Sequence, residues 1–179
     1  MGERQSSKTM GIQRKIRYLI VSIVLLPLNI SADDNLFIGL GVGSDGINAL
    51  RISQQQDKGT IFNTSMRRYA EYGFNFWEGK DKNINSNSSN ISISYSTILK
   101  KDIFYNFNIN TGLGVAFLSD NKIGDRNLGA TIQFESRLGF EYGSSNTKSV
   151  INLFHYSNAG TSSSNSGLNV LMINFSHLF

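Results

Sequence analysis

Two side chains that could carry out nucleophilic chemistry lie two residues apart near the end of the chain. They are His155 and Ser157, in the segment His155-Tyr156-Ser157-Asn158. A serine hydroxyl and an imidazole together supply the nucleophile and the general base of ester cleavage. In an extended strand, residues i and i+2 share one face about 7 Å apart. The segment therefore predicts a serine–histidine hydrolytic site, provided that a strand holds it.

The rest of the chain is predicted to supply such strands. Strand-like segments, separated by turns rich in Asn, Ser and Gly, run roughly over 35–43, 46–54, 66–77, 90–99, 102–118, 128–142, 148–158 and 167–179. Polar and apolar residues alternate in several of them, which indicates one apolar face. Several are long enough to cross a bilayer as tilted strands, and eight is the smallest usual number for an outer-membrane barrel. The predicted fold is an all-β, eight-stranded antiparallel transmembrane β-barrel. A soluble sandwich, the alternative, would explain the alternation but not the strand lengths.

The C-terminus carries a second signal of the same class of protein. Phe179 ends the chain, and Leu171, Ile173 and Phe175 lie on its face of the last predicted strand. A terminal Phe on an alternating apolar face resembles the recognition signal of outer-membrane barrel proteins. His177 shares that face and is expected at the periplasmic interface, where an amphipathic ring fits.

Residues 1–32 resemble a secretory signal peptide. Basic residues precede Tyr18, an apolar run follows as far as Leu28, and Ser31-Ala32 come before Asp33. We predict cleavage after Ala32, which leaves residues 33–179 as the outer-membrane barrel of a Gram-negative cell. Whether translation starts at Met1 or at Met10 stays open.

Charge and cysteine content narrow the classes of function. Acidic and basic residues are equal in number beyond residue 32, so the formal net charge of +4 comes from the leader. The barrel therefore gives no support for a nucleic-acid partner. The chain has no cysteine, which excludes a disulfide framework and a cysteine-based metal site.

The barrel prediction gives the Ser–His pair an unusual location. Ile151 and Leu153 share the face of His155 and Ser157, and the apolar side of a barrel strand faces lipid. The opposite face carries Asn152, Phe154, Tyr156 and Asn158. Ionisable residues on a lipid-facing surface are costly and are by default a functional hypothesis. The alternative is a pair of polar residues near the membrane interface with no catalytic role.

The segment His155-Tyr156-Ser157-Asn158-Ala159-Gly160, with its spacing to Asn165 and Gly167, resembles the active-site strand of the PagL-type lipid A 3-O-deacylases. The likeness covers most of the chain beyond the leader and is strongest from Gly112 to Gly167. Other short pieces agree in order: Phe76-Trp77-Glu78-Gly79, Gly112-Leu113-Gly114-Val115-Ala116-Phe117, Gly124-Asp125-Arg126-Asn127-Leu128-Gly129 and Phe134-Glu135-Ser136-Arg137.

The resemblance implies a barrel with a Ser-His-acid site on its lipid-facing side. It implies hydrolysis of the ester-linked acyl chain at the 3-position of lipid A, with Ser157 as nucleophile and His155 as base. The groups that it implies for oxyanion stabilisation or support are Asn158, Asn165, Ser136 and the backbone of Gly160. It implies no metal or organic cofactor, and it leaves open the acyl-chain preference and whether the barrel forms a homodimer.

Two positions depart from the family pattern. The third triad member in well-known relatives is a Glu fourteen residues after the His, and this chain has Asn169 there. Asn can accept a hydrogen bond from the imidazole N–H and fix its tautomer, but it cannot offset the imidazolium charge. Asn169 lies two residues before Leu171 and therefore shares its strand face. The alternative interpretation is that Asn169 is an ordinary strand residue beside a turn. Ser136 stands where relatives carry Asp after Phe-Glu.

Two other functions remain open on the sequence alone. A structural or adhesin-like small barrel has no need of a lipid-facing Ser–His pair, so the side on which the pair lies separates it from an enzyme. A phospholipase resembling outer-membrane phospholipase A is the second. That enzyme has a larger barrel and a calcium-dependent dimer, and this sequence has no carboxylate cluster of the kind calcium prefers.

Overall fold

The computed structural model describes residues 34–61, 64–82, 85–144 and 146–177. The predicted signal peptide and Phe179 lie outside these residues, as does the side chain of His177. No helix in the described ranges is long and apolar enough to cross a membrane.

Ten strands and one turn of 3-10 helix, Ser44–Gly46, form in the described part of the chain. The strands are β1 Asn35–Gly43, β2 Asn48–Thr60, β3 Met66–Asp81, β4 Ser86–Phe104, β5 Phe107–Leu118, β6 Lys122–Ile123, β7 Arg126–Asn127, β8 Ile132–Gly143, β9 Thr147–Ser157 and β10 Leu168–His177. All except β6 and β7 close into a barrel in the order β1-β10-β9-β8-β5-β4-β3-β2, with antiparallel neighbours throughout. The predicted eight-stranded barrel is confirmed.

The alternation of residue types decides which side of each strand faces outward. Leu40, Leu113 and Leu171 point outward and are 67%, 72% and 57% exposed. Asn75 and Gln133 point into the lumen and are completely buried. An apolar exterior around a polar interior is the reverse of a soluble β-protein and is the arrangement of a membrane barrel.

Ion pairs fill the middle of the lumen. Glu71 lies between two guanidinium groups, 2.7 Å from Arg51 and 2.8 Å from Arg137. Arg51 also lies 3.1 Å from Glu135, which accepts a hydrogen bond from the hydroxyl of Tyr156 at 3.0 Å. Buried charges are tolerated when they are paired in this way. Since Tyr156 lies between His155 and Ser157 in the sequence, this network anchors β9 from the inside.

The lumen becomes apolar towards the end of the barrel where the longer loops lie. Trp77 packs edge-on against Tyr156, with ring centroids 5.3 Å apart. Loop and strand residues complete one buried cluster there: Ile47, Ala49, Ala116, Leu118, Ile123, Leu128, Phe154, Leu168, Val170 and Met172. The cluster includes the inward-pointing neighbours of His155 on β9 and of Asn169 on β10, so it fixes both strands beneath the predicted site.

Several predicted strand boundaries are wrong. For example, β2 continues to Thr60, six residues beyond its predicted end. The break expected near residue 100 lies at Tyr105, since β4 continues to Phe104. This turn has no glycine or proline. Instead Tyr105 takes a φ of 43° and the rings of Phe104 and Phe107 stack with centroids 5.2 Å apart. The strand expected from residue 128 begins at Ile132, because the preceding loop folds into the small β6–β7 hairpin.

Candidate active site

His155 lies on β9 between two polar residues of the neighbouring strands. In the register of the sheet it is opposite Ser136 of β8 on one side and Asn169 of β10 on the other. His155 and Asn169 are exposed, and Ser136 and Ser157 are half-buried. All four side chains lie on the outward face, whereas Tyr156 points into the lumen. The exterior location of the Ser–His pair, predicted from parity, is therefore confirmed.

The imidazole of His155 is held through its Nδ1 atom, which lies 2.7 Å from Oδ1 of Asn169. An amide oxygen only accepts, so the proton of a neutral ring stays on Nδ1. Nε2 then carries the lone pair and is free to take a proton from a hydroxyl group. This is the orienting contact that the third member of a serine-hydrolase triad makes, with an amide in place of a carboxylate.

Ser157 is the last residue of β9 and lies opposite Phe134 of β8. The extended backbone directs its hydroxyl to the same side as His155, two residues earlier. Among the described residues, no hydrogen bond yet joins Ser157 Oγ to the imidazole. Such contacts are often long without substrate and tighten in the Michaelis complex.

Gly167, which directly precedes β10, lies close to the imidazole. Its φ is 57°, in the left-handed region, and a Cβ built there would lie 3.3 Å from Cε1 and 4.0 Å from Nε2 of His155. The left-handed backbone conformation favours glycine, and a side chain at this position would press against the imidazole.

Asn158 fastens the loop that follows Ser157 and does not face the site. It is completely buried, and its Nδ2 donates to the carbonyls of Leu128 at 2.9 Å and Ser164 at 2.7 Å. Its Oδ1 accepts the backbone N–H of Gly160 at 2.9 Å, which occupies that donor. Asn165 accepts the backbone N–H of Asn158 through Oδ1 at 3.2 Å. No hydrogen bond in the described ranges uses Nδ2 of Asn165.

Glu135, the carboxylate nearest to Ser136 in the sequence, cannot serve as an acidic partner of His155. It points into the lumen and is 1% exposed. There it accepts hydrogen bonds from Ser96 at 2.6 Å and from Arg51. Adjacent strand residues face opposite sides of the sheet, so Glu135 is separated from His155 by the barrel wall.

Sequence reasoning did not single out the turn between β1 and β2. The hydroxyl of Ser44 accepts the backbone N–H of Asn169 at 3.3 Å and donates to its carbonyl at 3.4 Å. Asp45 pairs with Arg126 at 2.8 Å, and Arg126 also donates to the carbonyl of Gly167 at 2.5 Å. The one signal in the sequence was the position of Arg126 in the Gly124–Gly129 segment.

Residues 46–177 match the family described as Lipid A 3-O-deacylase (PagL). Lipid A deacylase PagL of Pseudomonas aeruginosa strain PAO1 is 30% identical over 163 residues, which cover 87% of this chain and 93% of that protein. The family match spans β2 to β10 and includes His155, Ser157, Asn165 and Asn169.

Two crystal structures are similar in fold. That of the outer membrane enzyme PagL has a TM-score of 0.68 and 24% identity, covering 81% of this chain and 99% of the other. That of Neisserial surface protein A has a TM-score of 0.53 and 16% identity, covering 82% and 94%. At these identities the structural likeness concerns the barrel fold alone.

Proposed function

The chain belongs to the PagL family of lipid A 3-O-deacylases, and on that premise we propose that it hydrolyses the ester-linked acyl chain at the 3-position of lipid A in the outer membrane. One observation assigns this proposed activity to particular residues. His155 Nδ1 lies 2.7 Å from Asn169 Oδ1 on the outward face of the barrel. His155 precedes Ser157 by two residues on the same strand face. A structural or adhesin-like barrel has no use for an oriented imidazole and a hydroxyl on its lipid-facing side.

The position along the barrel axis suits a substrate of the outer leaflet. Outer-membrane barrels have short periplasmic turns and longer extracellular loops. The longer connections, 119–131 and 158–167, lie at the same end as the site, and the short turn 105–106 lies at the other. Ser157 directly precedes one of the longer loops, so it would lie near the extracellular rim, at the depth of lipid A.

In the proposed reaction, Ser157 Oγ attacks the ester carbonyl while Nε2 of His155 takes the hydroxyl proton. The tetrahedral intermediate collapses, the bond to the 3-oxygen of lipid A breaks, and the imidazolium gives its proton to that oxygen. An acyl-serine remains. Water, deprotonated by His155, then attacks the acyl-serine, and the fatty acid leaves as the Ser157 hydroxyl is restored.

Asn169 acts as a positioning residue in this scheme. Its amide oxygen keeps the proton on Nδ1 and so leaves Nε2 basic, but it does not neutralise the imidazolium that forms during attack. The neutral amide has one advantage at this location, because a carboxylate facing hydrocarbon carries a large desolvation cost.

Asn165 is the proposed donor to the oxyanion. Its Oδ1 is tied to the backbone of Asn158, which turns Nδ2 away from that bond and leaves it for another acceptor. A preorganised amide donor of this kind stabilises a tetrahedral intermediate. The N–H of Gly160 could join it only after release from Asn158 Oδ1. Ser136, beside His155, completes the proposed supporting set.

The proposed function is tested by mass spectrometry of lipid A from cells that express the intact protein or its Ser157→Ala variant. The intact protein is expected to yield lipid A that lacks one ester-linked acyl chain at the 3-position. The variant should leave lipid A unchanged at the same level of folded barrel. Equal deacylation by both proteins would contradict Ser157 as the nucleophile.

A further inference from the structure

We propose that Ser44 and Arg126 are positioning residues for this hydrolysis, which together hold segment 167–169 against the imidazole of His155. The inference rests on the proposed function, because it assigns a purpose to contacts around the same histidine. In the described ranges, neither residue forms a hydrogen bond with His155 or Ser157; both act through the segment that contains Asn169, which does bind His155.

Ser44 extends the β1–β10 ladder by one residue. The last backbone pair of that ladder is Gly43 with Val170, so Asn169 lies just beyond it. There the hydroxyl of Ser44 takes the place of a backbone partner and bonds both the N–H and the carbonyl of Asn169, at 3.3 and 3.4 Å. A single side chain therefore satisfies both peptide groups of the residue that orients the base.

This contact also explains how Asn169 comes close to His155. The N–H and the carbonyl of one strand residue point to the same side, and those of Asn169 point towards Ser44. The pair Asn169–His155 on the other side is therefore a pair without mutual backbone hydrogen bonds, the type in which facing side chains approach most closely. The 2.7 Å contact between Nδ1 and Oδ1 is consistent with that arrangement.

Arg126 holds the same segment from its other end. Its Nη1 donates to the carbonyls of Ser166 at 2.8 Å and Gly167 at 2.5 Å. Its Nε and Nη2 bind Oδ2 of Asp45 at 3.0 and 2.8 Å, which ties in the turn that carries Ser44. Most of the guanidinium's donors are spent on protein acceptors. This favours a clamp over a binding site for a lipid phosphate.

The two contacts converge on one imidazole. Gly167 covers Cε1 and Asn169 binds Nδ1, so both restraints on the ring come from three consecutive residues. Arg126 binds the carbonyl of Gly167, and Ser44 binds the backbone of Asn169. Loosening either contact should let the imidazole drift from Ser157 without changing the surface that binds lipid. We therefore expect a loss in kcat with little change in KM.

The test measures kcat and KM of the purified full-length barrel on lipid A in detergent micelles. Ser44→Ala should lower kcat about tenfold, equivalent to about 1.4 kcal/mol, while Ser44→Thr, which keeps the hydroxyl, should retain most of it. Ser163→Ala is the matched control, because that exposed hydroxyl has no hydrogen bond among the described residues. Heat-modifiable mobility on SDS gels reports that each barrel is folded.

A double-mutant cycle separates positioning from a general structural effect. If Ser44 acts through Asn169, Ser44→Ala should have almost no further effect on kcat in the Asn169→Ala background. If Ser44→Ala lowered kcat by the same factor in the parent and in the Asn169→Ala background, the role of Ser44 would be overturned. Arg126→Gln gives an independent measurement, compared with Lys122→Gln in the same loop. Activity of Arg126→Gln equal to that control would overturn the clamp.

The outcomes also separate this inference from the proposed function. If Ser157→Ala keeps the activity of the parent, the proposed function itself is wrong. If Ser157→Ala is inactive while Ser44→Ala and Arg126→Gln match their controls, only the positioning roles are wrong.

Discussion

The amide oxygen of Asn169 lies 2.7 Å from Nδ1 of His155, directly across the β9–β10 ladder. Relatives of this chain are expected to carry a carboxylate at that position. In the proposed reaction, the amide keeps the part of a carboxylate's role that depends on geometry, since it orients the ring and selects the tautomer. It lacks the part that depends on charge, because it cannot stabilise the imidazolium of the transition state.

Replacing Asn169 with Ala should lower the deacylase activity about tenfold or more, because general-base catalysis depends on an oriented imidazole. The barrel should stay folded, since the side chain is exposed. Lipid A mass spectrometry and kinetics on purified barrels measure the effect, with His155→Ala and Ser157→Ala as near-inactive benchmarks. Parental activity would mean that another group holds His155. Ser136 would then be the first candidate, because Glu135 lies inside the lumen.

Replacing Gly167 with Ala should reduce the activity several-fold. The new Cβ would lie 3.3 Å from Cε1 of His155, and the φ of 57° is unfavourable for alanine. Gly59→Ala is the matched control: its φ is 81°, but a Cβ there meets nothing within 4 Å. Both variants carry similar backbone strain, so an equal effect of the two on kcat would show that contact with the ring is unimportant.

Replacing Asn158 with Ala should loosen the loop 158–167. The change removes two donated hydrogen bonds and the acceptor for Gly160, and an unpaired buried polar group costs about 1–3 kcal/mol. Limited proteolysis of the folded barrel should therefore show faster cleavage in this loop than in the Ser163→Ala control. Unchanged cleavage would argue that other contacts fasten the loop.

Replacing Asn165 with Ala should have a different signature. This side chain is exposed, and its proposed role is to donate to the oxyanion. Loss of one such donor lowers kcat by roughly 100-fold or more in serine hydrolases. We expect a fall in kcat at nearly constant KM, measured on lipid A micelles. A rise in KM with constant kcat would assign Asn165 to substrate binding instead.

Replacing Glu71 with Ala should destabilise the barrel by about 3–5 kcal/mol, because Arg51 and Arg137 would lose a shared buried partner. Asp57→Ala is the control, since its ion pair with Arg67 is solvent-accessible and such pairs contribute about 1 kcal/mol or less. Urea unfolding of the refolded barrels measures the difference. Similar midpoints for the two variants would show that the lumen rearranges to rescue the charges.

Several features of this protein follow from its sequence alone, because they depend on local periodicity. Residues that alternate with period two must lie on opposite sides of a strand, whatever the strand pairs with. Alternation together with the number and length of the strands was therefore enough to predict the barrel. Alternation alone then predicted the outward direction of His155 and Ser157 and the shared face of Asn169. Turn positions do not follow from this periodicity. The Tyr105 turn was missed because an aromatic stack closes it in place of the usual turn residues.

The tertiary structure decided most of the contacts around the site. The family resemblance already predicted that Asn169 meets His155, but the contact itself needs the register of β9 against β10, which the loop length and the buried cluster set together. The bonds of Arg126 reach 81 residues back to Asp45 and 41 residues forward to Gly167. Ser44 meets Asn169 across 125 residues, where closure of the barrel brings the first strand beside the last. No local pattern encodes such pairs, because they exist only once the barrel is closed and its loops pack over one rim.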